Sequence, residues 1–535
     1  MNKPKLHTIL RGVGITLWLT CLMSCHKRDP LPVPEPPFER LQEAQQMKSS
    51  LLRKTIQYAV LLPESYTDTS RRFPVVYLLH GFGDNQEAWY KGGRIQWYAG
   101  QHAAMLGEVI FVMPQGFNTY WVNKYNGSFP WQDMLTEELI PFIDSAYRTK
   151  TDPGQRALMG YSMGGYGALM TAAKNPDYFQ TAVALSMSFR TDAQYLLEPQ
   201  SVFDYQWAPV FGGQGMAGQA RLNPYFIAHS PFHFFATEEA SSRRGQRYLI
   251  DCGDDEESLS FTSNALHSLL MDNQINHEYR MRSGGHSWDY WHASLPEAFS
   301  FMRHAFDGQE WPMENQTTTE RRQTETGQLV KYAATDNLPE FTVLKPAGYD
   351  QSTAAYPLIV MLSDPKELEP AGAGTRLLEQ LNQAIFKQRL PSCIVVEMPF
   401  KIPFHGDEIL PQLKLFLREH YRLRTDGNYA VIIANGAAGA AVFDVRINLA
   451  DTFNAMLLFN AQLPETPITE LSALAFYLDM TDQHDFYKGY EQTYLAVREQ
   501  GNTFEYRVRQ GSDYFRDFET GLNDAMIFIK DQLKQ

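Results

Sequence analysis

The sequence predicts an α/β protein built as two tandem copies of one domain, each a mainly parallel sheet flanked by helices. Three observations predict it. Short aliphatic or β-branched runs alternate with longer amphipathic stretches. One of these runs leads into a glycine-rich turn and then a helical stretch. The second half also repeats the first in order. Tyr58-Ala59-Val60-Leu61-Leu62-Pro63 is echoed by Phe341-Thr342-Val343-Leu344-Lys345-Pro346. Pro74 and the run after it are echoed by Pro357-Leu358-Ile359-Val360-Met361-Leu362. Glu278-Tyr279-Arg280-Met281-Arg282 is echoed by Glu505-Tyr506-Arg507-Val508-Arg509.

Composition agrees with this class. The 535 residues are 44% hydrophobic and 20% charged, which excludes a disordered chain and supplies several cores. The net charge of −14, without any Lys/Arg run, excludes nucleic acid and anionic membrane surfaces as electrostatic partners. Four cysteines show no metal-ligand spacing, and the isolated Cys252 and Cys393 are expected to be buried free thiols.

The first element is an address. Lys3, Lys5 and Arg11 precede an apolar run, Gly12 to Ser24, too short to span a bilayer but suited to a signal peptide. It ends Leu22-Met23-Ser24-Cys25, which resembles a bacterial lipobox. Residues 1–24 are therefore expected to be cleaved and Cys25 to be lipidated. The mature chain would be exported and held to a bacterial membrane, on the periplasmic or cell-surface side, by that anchor alone. An ordinary secretory signal implies the same export. Residues 25–45, with Pro30, Pro32, Pro34, Pro36 and Pro37, read as an extended tether.

Residues 46–308 read as the first domain. Val75 to Leu79 and Val109 to Met113 have the continuous apolar character of buried parallel strands, and Ala157 to Met159, Arg247 to Asp251 and His277 to Met281 read as further strands. Glu137 to Tyr147 has helical spacing. The polar stretch 309–325 reads as a linker, and 326–535 as the second copy.

The first copy carries the chemistry. Gly160-Tyr161-Ser162-Met163-Gly164 matches G-x-S-x-G between a strand and the helical stretch Tyr166 to Lys174, the context of a nucleophile elbow. A serine hydroxyl needs a base. His286 follows Gly284-Gly285 after a late strand, and the order serine, acid, histidine is the one this architecture uses. The acid is sought in Asp251-Cys252-Gly253-Asp254-Asp255-Glu256, where a carboxylate would orient the imidazole. An oxyanion needs two N–H donors: Met163, after the nucleophile, and Phe82 in His80-Gly81-Phe82-Gly83. His80 itself reads as structural. No metal or cofactor is expected.

These four ordered motifs, ending in Gly284-Gly285-His286-Ser287-Trp288-x-x-Trp291, resemble an esterase family of the α/β-hydrolases. That family includes feruloyl and acetylxylan esterases of carbohydrate esterase family one, S-formylglutathione hydrolases and mycolyltransferases. The resemblance runs from about Tyr58 to Phe306. It implies two tandem α/β-hydrolase domains and places Trp89 and Trp288 as candidates for the substrate pocket, with core packing as the other reading. The family usually has Asp three residues after the Gly of the Cys-Gly segment. This chain has Glu256, so Glu256 is the expected acid and Asp255 its rival.

In the second copy Gly436 falls on Ser162, His484 on Glu256, Asp513 on His286, and Ser363-Asp364-Pro365 on His80-Gly81-Phe82. This half is expected to keep the fold and lack the chemistry. The resulting expectation is an exported serine carboxylesterase acting on acyl esters, with acetyl or feruloyl groups on plant polysaccharide as the fitting substrates. An acyltransferase or siderophore-type esterase is an alternative. A non-catalytic carbohydrate-binding surface protein is another. Phe189 to His233 is the expected lid.

Overall fold

The computed structural model of the chain describes residues 39–242, 245–256, 258–311, 327–364, 373–424, 429–471, 473–511 and 514–533. The expected signal segment, Cys25 and most of the expected tether and linker lie outside the described residues, as do Pro365 and Asp513. Residues 40–535 form one compact unit.

The first half contributes β1 (Leu41–Ser49), β2 (Lys54–Leu61), β3 (Val75–Leu79), β4 (Ile110–Pro114), β5 (Arg156–Tyr161), β6 (Thr181–Leu185), β7 (Arg247–Gly253) and β8 (His277–Arg282). The second contributes β9 (Gln328–Tyr332), β10 (Phe341–Lys345), β11 (Leu358–Ser363), β12 (Ile394–Pro399), β13 (Ala430–Asn435), β14 (Ala455–Phe459), β15 (Ala475–Thr481) and β16 (Phe504–Arg509). The order in the first half is β1-β2-β4-β3-β5-β6-β7-β8, and the second half repeats it as β9-β10-β12-β11-β13-β14-β15-β16. In both halves the first two strands are antiparallel to their neighbours and the rest run parallel.

The expectation of a separate sheet in each half needs correcting. β8 and β16 pair antiparallel, Met281 opposite Val508, so the strands of the described residues form one 16-stranded sheet. The reason is general: the last strand of each half would otherwise present unpaired N–H and C=O groups, and two such edges satisfy each other. The N-terminal boundary also moves. Leu41–Ser49 is a strand paired with β2, so the fold starts inside the segment read as tether. At the other boundary Trp311 packs edge-on against Phe301, with ring centres 5.4 Å apart.

Alternation along the strands divides the core. Val75, Tyr77 and Leu79 face one side, with Trp121, Leu139 and Tyr166. Val76 and Leu78 face the other, with Trp89, Trp291 and Phe299. Each fully buried side chain of this size contributes about 1.5–3 kcal/mol. Cys252 and Cys393 are buried free thiols, as expected. Between β6 and β7 the chain makes a series of short helices from Asp192 to Ser242. Their buried aromatic rings (Tyr195, Phe203, Trp207, Phe211 and Phe226) pack on Tyr166 and Phe189 above the elbow helix. These helices overlap the segment Phe189 to His233 read from sequence as the lid.

Candidate active site

The elbow is sharp because small residues surround it. β5 ends at Tyr161, Ser162 turns at φ 56°, ψ −122°, and a helix starts at Met163. Positive φ at a non-glycine residue is strained and is held only by its surroundings. Here the Ser162 N–H donates to Leu185 O at 2.9 Å and its carbonyl accepts from Ser188 N–H at 2.9 Å. A Cβ at Gly160 would lie 2.2 Å from Gly164 O, and one at Gly164 would lie 2.1 Å from Leu79 O. The strand, turn and helix close up only with glycine at both positions. Ser162 is left half-buried at the C-terminal end of the parallel strands, where this architecture places ligands.

Of the two candidate carboxylates, Glu256 is the one that reaches His286. Its Oε2 is 2.6 Å from His286 Nδ1. Its Oε1 accepts from Gly253 N–H at 2.9 Å and from the Ser186 hydroxyl at 2.5 Å. Ser186 in turn accepts from Trp291 Nε1 at 2.8 Å. The Glu256 side chain is fully buried, whereas that of His286 is 39% exposed. A buried carboxylate needs its lone pairs satisfied, and three donors do so. A carboxylate only accepts, so His286 carries its proton on Nδ1 and Nε2 is left as the basic atom. Asp255, the rival, is exposed, and its backbone N–H donates to Gly284 O.

The loop expected to form the oxyanion hole lies beside the serine: a Cβ on Gly81 would be 3.4 Å from Ser162 Cβ. His80 fixes that loop. Its Nε2 accepts from Gly116 N–H at 2.9 Å, so Nδ1 donates to Gly81 O at 2.8 Å. Burial holds this imidazole down at about 4, in its neutral form. Gly83 N–H donates to Asn118 Oδ1 at 2.8 Å, and Tyr161 OH donates to Asp84 Oδ2 at 2.6 Å. Phe82 sits between these anchors, its ring against Tyr120 and the exposed Tyr205. Met163 is buried as the first residue of the elbow helix.

The pocket reading of Trp89 is corrected. Trp89 is 1% exposed, donates to Leu79 O at 3.0 Å, and meets Tyr161 and Trp288 edge-on beneath the elbow. Trp288 is half-buried in the same cluster, against Trp291 and close under Gly92 and Gly93. The two rings support β5 and the histidine loop from below. Two residues that the sequence did not single out do touch the site: Ser186, at φ 48°, and Asp254, whose Oδ1 accepts from Gly284 N–H at 3.1 Å. A lone serine after β6 carries no motif, and Asp254 is one of three adjacent carboxylates. Among the described residues no His/Cys/Asp/Glu group could hold a metal ion.

In the second half Gly436 stands at the elbow between β13 and a helix at Gly436–Asp444, with φ 51°. Its carbonyl accepts from Gln462 N–H, as that of Ser162 does from Ser188. Asp364, after β11, accepts from Ala437 N–H at 3.2 Å, and its own N–H donates to Asn435 Oδ1. A carboxylate of the chain itself thus occupies the N–H that follows the elbow position.

Comparison with known proteins shows what the first half of the chain is similar to. Residues 49–302 match the family described as Putative esterase. An esterase of Mycobacterium tuberculosis is 28% identical over 237 residues, which are 42% of this chain and 49% of the relative. The chain thus spans about half the length of that relative. The acetyl esterase of Caldicellulosiruptor saccharolyticus is 24% identical over 272 residues, 48% of this chain and 97% of the relative. The endo-1,4-beta-xylanase/feruloyl esterase of Xylanibacter ruminicola is 32% identical over 129 residues, 22% of this chain and 18% of the relative. Residues 49–302 thus resemble the Putative esterase family, and the relatives similar to this half of the chain are esterases.

Proposed function

We propose that the protein is an exported serine carboxylesterase in which Ser162, His286 and Glu256 form the triad. The observation that carries this is the Glu256–His286 pair: a buried, fully hydrogen-bonded carboxylate 2.6 Å from an exposed imidazole, in a fold whose elbow presents Ser162 at positive φ. Ser162 Oγ attacks the ester carbonyl and its proton passes to His286 Nε2. The N–H groups of Met163 and Phe82 hold the oxyanion. His286 then protonates the departing alcohol. Water, activated by the same Nε2, releases the acid from Ser162. Glu256 keeps the imidazole in the required tautomer and stabilises the imidazolium that forms.

The substrates we favour are acetyl or feruloyl esters on a polysaccharide. The names of the acetyl esterase and xylanase/feruloyl esterase relatives support this choice. The lipobox-like Leu22-Met23-Ser24-Cys25 supports export and anchoring through Cys25. We further read the second half as a degenerate copy of the first; the repeated strand order and the glycine at its elbow support that reading.

The test is to treat the protein with a fluorophosphonate and measure its intact mass. One adduct is expected, absent from Ser162→Ala, together with p-nitrophenyl acetate turnover lost in the same variant. Undiminished turnover by Ser162→Ala would exclude the assignment.

A further inference from the structure

The seam between the halves is built from two reciprocal sets of contacts. Asp482, in the turn after β15, accepts with Oδ2 from Arg280 Nη1 at 2.6 Å and from Tyr279 N–H at 3.3 Å. Its Oδ1 accepts from Gly511 N–H of its own half at 3.3 Å. Asp254, in the turn after β7, does the same from the other side. Its Oδ2 accepts from Arg507 Nη1 at 2.5 Å and from Tyr506 N–H at 3.5 Å, while Oδ1 holds Gly284 N–H of its own half. The Glu-Tyr-Arg-x-Arg run present in both β8 and β16 supplies both arginines.

The two sets are alike in geometry and unlike in what they hold. Asp482 and Gly511 each stand two residues before a position that lacks triad chemistry, His484 and Asp513. Asp254 stands two residues before Glu256, and Gly284 two before His286. One carboxylate thus ties the acid loop to the histidine loop, and its other oxygen is held from the second half.

We propose that Arg507 is a positioning residue for the Glu256–His286 pair, so that the second half is a working part of the first half's active site. This rests on the serine-esterase reading. The Asp254 and Arg507 side chains are 5% and 12% exposed. A buried carboxylate without its cation is costly, and burial already pushes the Asp254 carboxyl upward while Arg507 opposes it. The guanidinium is fixed in turn: Nη1 also donates to Tyr506 O at 2.9 Å and Nη2 pairs with Glu505. Removing Arg507 leaves Asp254 to protonate or turn towards water, and Gly284 and Glu256 lose their common anchor. A displacement of about 1 Å at a reacting group costs on the order of 10²-fold in rate.

The test is a double-mutant cycle of Asp254→Asn and Arg507→Gln, with the mirror variant Asp482→Asn as control. Turnover of p-nitrophenyl acetate and the thermal midpoint are measured for each. Asp254→Asn and Arg507→Gln are each expected to lower kcat by about 10²-fold with KM unchanged, and the double variant no further. Arg507→Lys is expected to recover part of the loss. Asp482→Asn is expected to lower the midpoint by a similar amount while keeping wild-type kcat. Wild-type kcat in Arg507→Gln, or an equal kcat loss in Asp482→Asn, would reduce the seam to a structural contact and overturn the proposal. If Asp254→Asn does not fold, the Arg507 variants decide by the same criteria. A wild-type protein that neither turns over the ester nor labels at Ser162 would overturn both readings. An active wild type with unaffected Arg507 variants would overturn this one alone.

Discussion

The longer side chain of Glu256 reaches His286 because its neighbours fold it back. Gly253 N–H and Ser186 Oγ hold one oxygen, which leaves the other at 2.6 Å from His286 Nδ1. Glu256→Gln keeps the shape but presents an amide that can turn its NH2 towards the imidazole. We expect kcat to fall by about 10³–10⁴-fold with folding intact, while Asp255→Asn, at an exposed side chain, keeps wild-type kcat in the same steady-state assay. His80 gives a pH signature. Its folded value of about 4 lies below the ordinary 6.5, so the unfolded chain binds the extra proton first as pH falls. The stability held by neutral His80 is complete above pH 6.5 and is lost as pH drops towards 4. It amounts to about 2 kcal/mol lost by pH 5. Urea midpoints at pH 7.5 and 5 should show this fall, and His80→Gln should reduce it. Ser162, Glu256 and His286 were legible in the sequence as candidates because a nucleophile, an acid and a base stand in that order after the strands now seen as β5, β7 and β8. Ser186 and Asp254 were not, because their importance comes from which strand ends become neighbours in the sheet. Trp89 misled for a related reason: an aromatic residue following a glycine loop reads the same whether it faces a substrate or the underside of the elbow.

At the scale of elements, the turn between β5 and its helix concentrates the constraints. A methyl group at Gly164 would meet Leu79 O, and one at Gly160 would meet Gly164 O, both backbone atoms that cannot swing aside. Gly160→Ala should therefore cost about 3 kcal/mol in the denaturant midpoint and abolish fluorophosphonate capture, whereas Gly83→Ala, with open space at its Cβ, pays only for its φ of 86°. The elbow of the second half tests whether geometry alone makes a nucleophile. Gly436 has the required positive φ, but Asp364 holds the N–H that an oxyanion would need. We expect Gly436→Ser to give no second probe adduct by intact mass. The strands were the most legible elements, since a parallel strand buried on both faces is a short, continuous apolar run. The segment between β6 and β7 was legible only as an insertion. Its short helices are ordered by packing among Tyr195, Phe203, Trp207, Phe211 and Phe226, which leaves no helical period to read.

For the molecule as a whole, the repeat was visible in the sequence, but its consequence was not. Two copies were expected to have two sheets. The edge strands instead join, because β8 and β16 carry the same Glu-Tyr-Arg-x-Arg run and each half offers an aspartate to the other's arginine. A contact in which the same residues meet from both sides has the form of a two-fold dimer interface, here within a single chain. That form makes a prediction for residues 40–308 expressed alone. The piece would expose the β8 edge and leave Asp254 without Arg507, yet it retains Arg280, which occupies the place on β8 that Arg507 occupies on β16. Two copies can pair β8 with β8, each Asp254 accepting from the other's Arg280. An isolated edge strand favours such pairing in any event. Analytical ultracentrifugation should therefore find the piece at twice its chain mass, and Arg280→Gln should return it to monomer or to aggregate. Esterase activity should follow the dimer: present at concentrations where the pairs persist and declining on dilution. A stable monomer with full activity would contradict the expectation and would show that the first half needs no partner across its last strand.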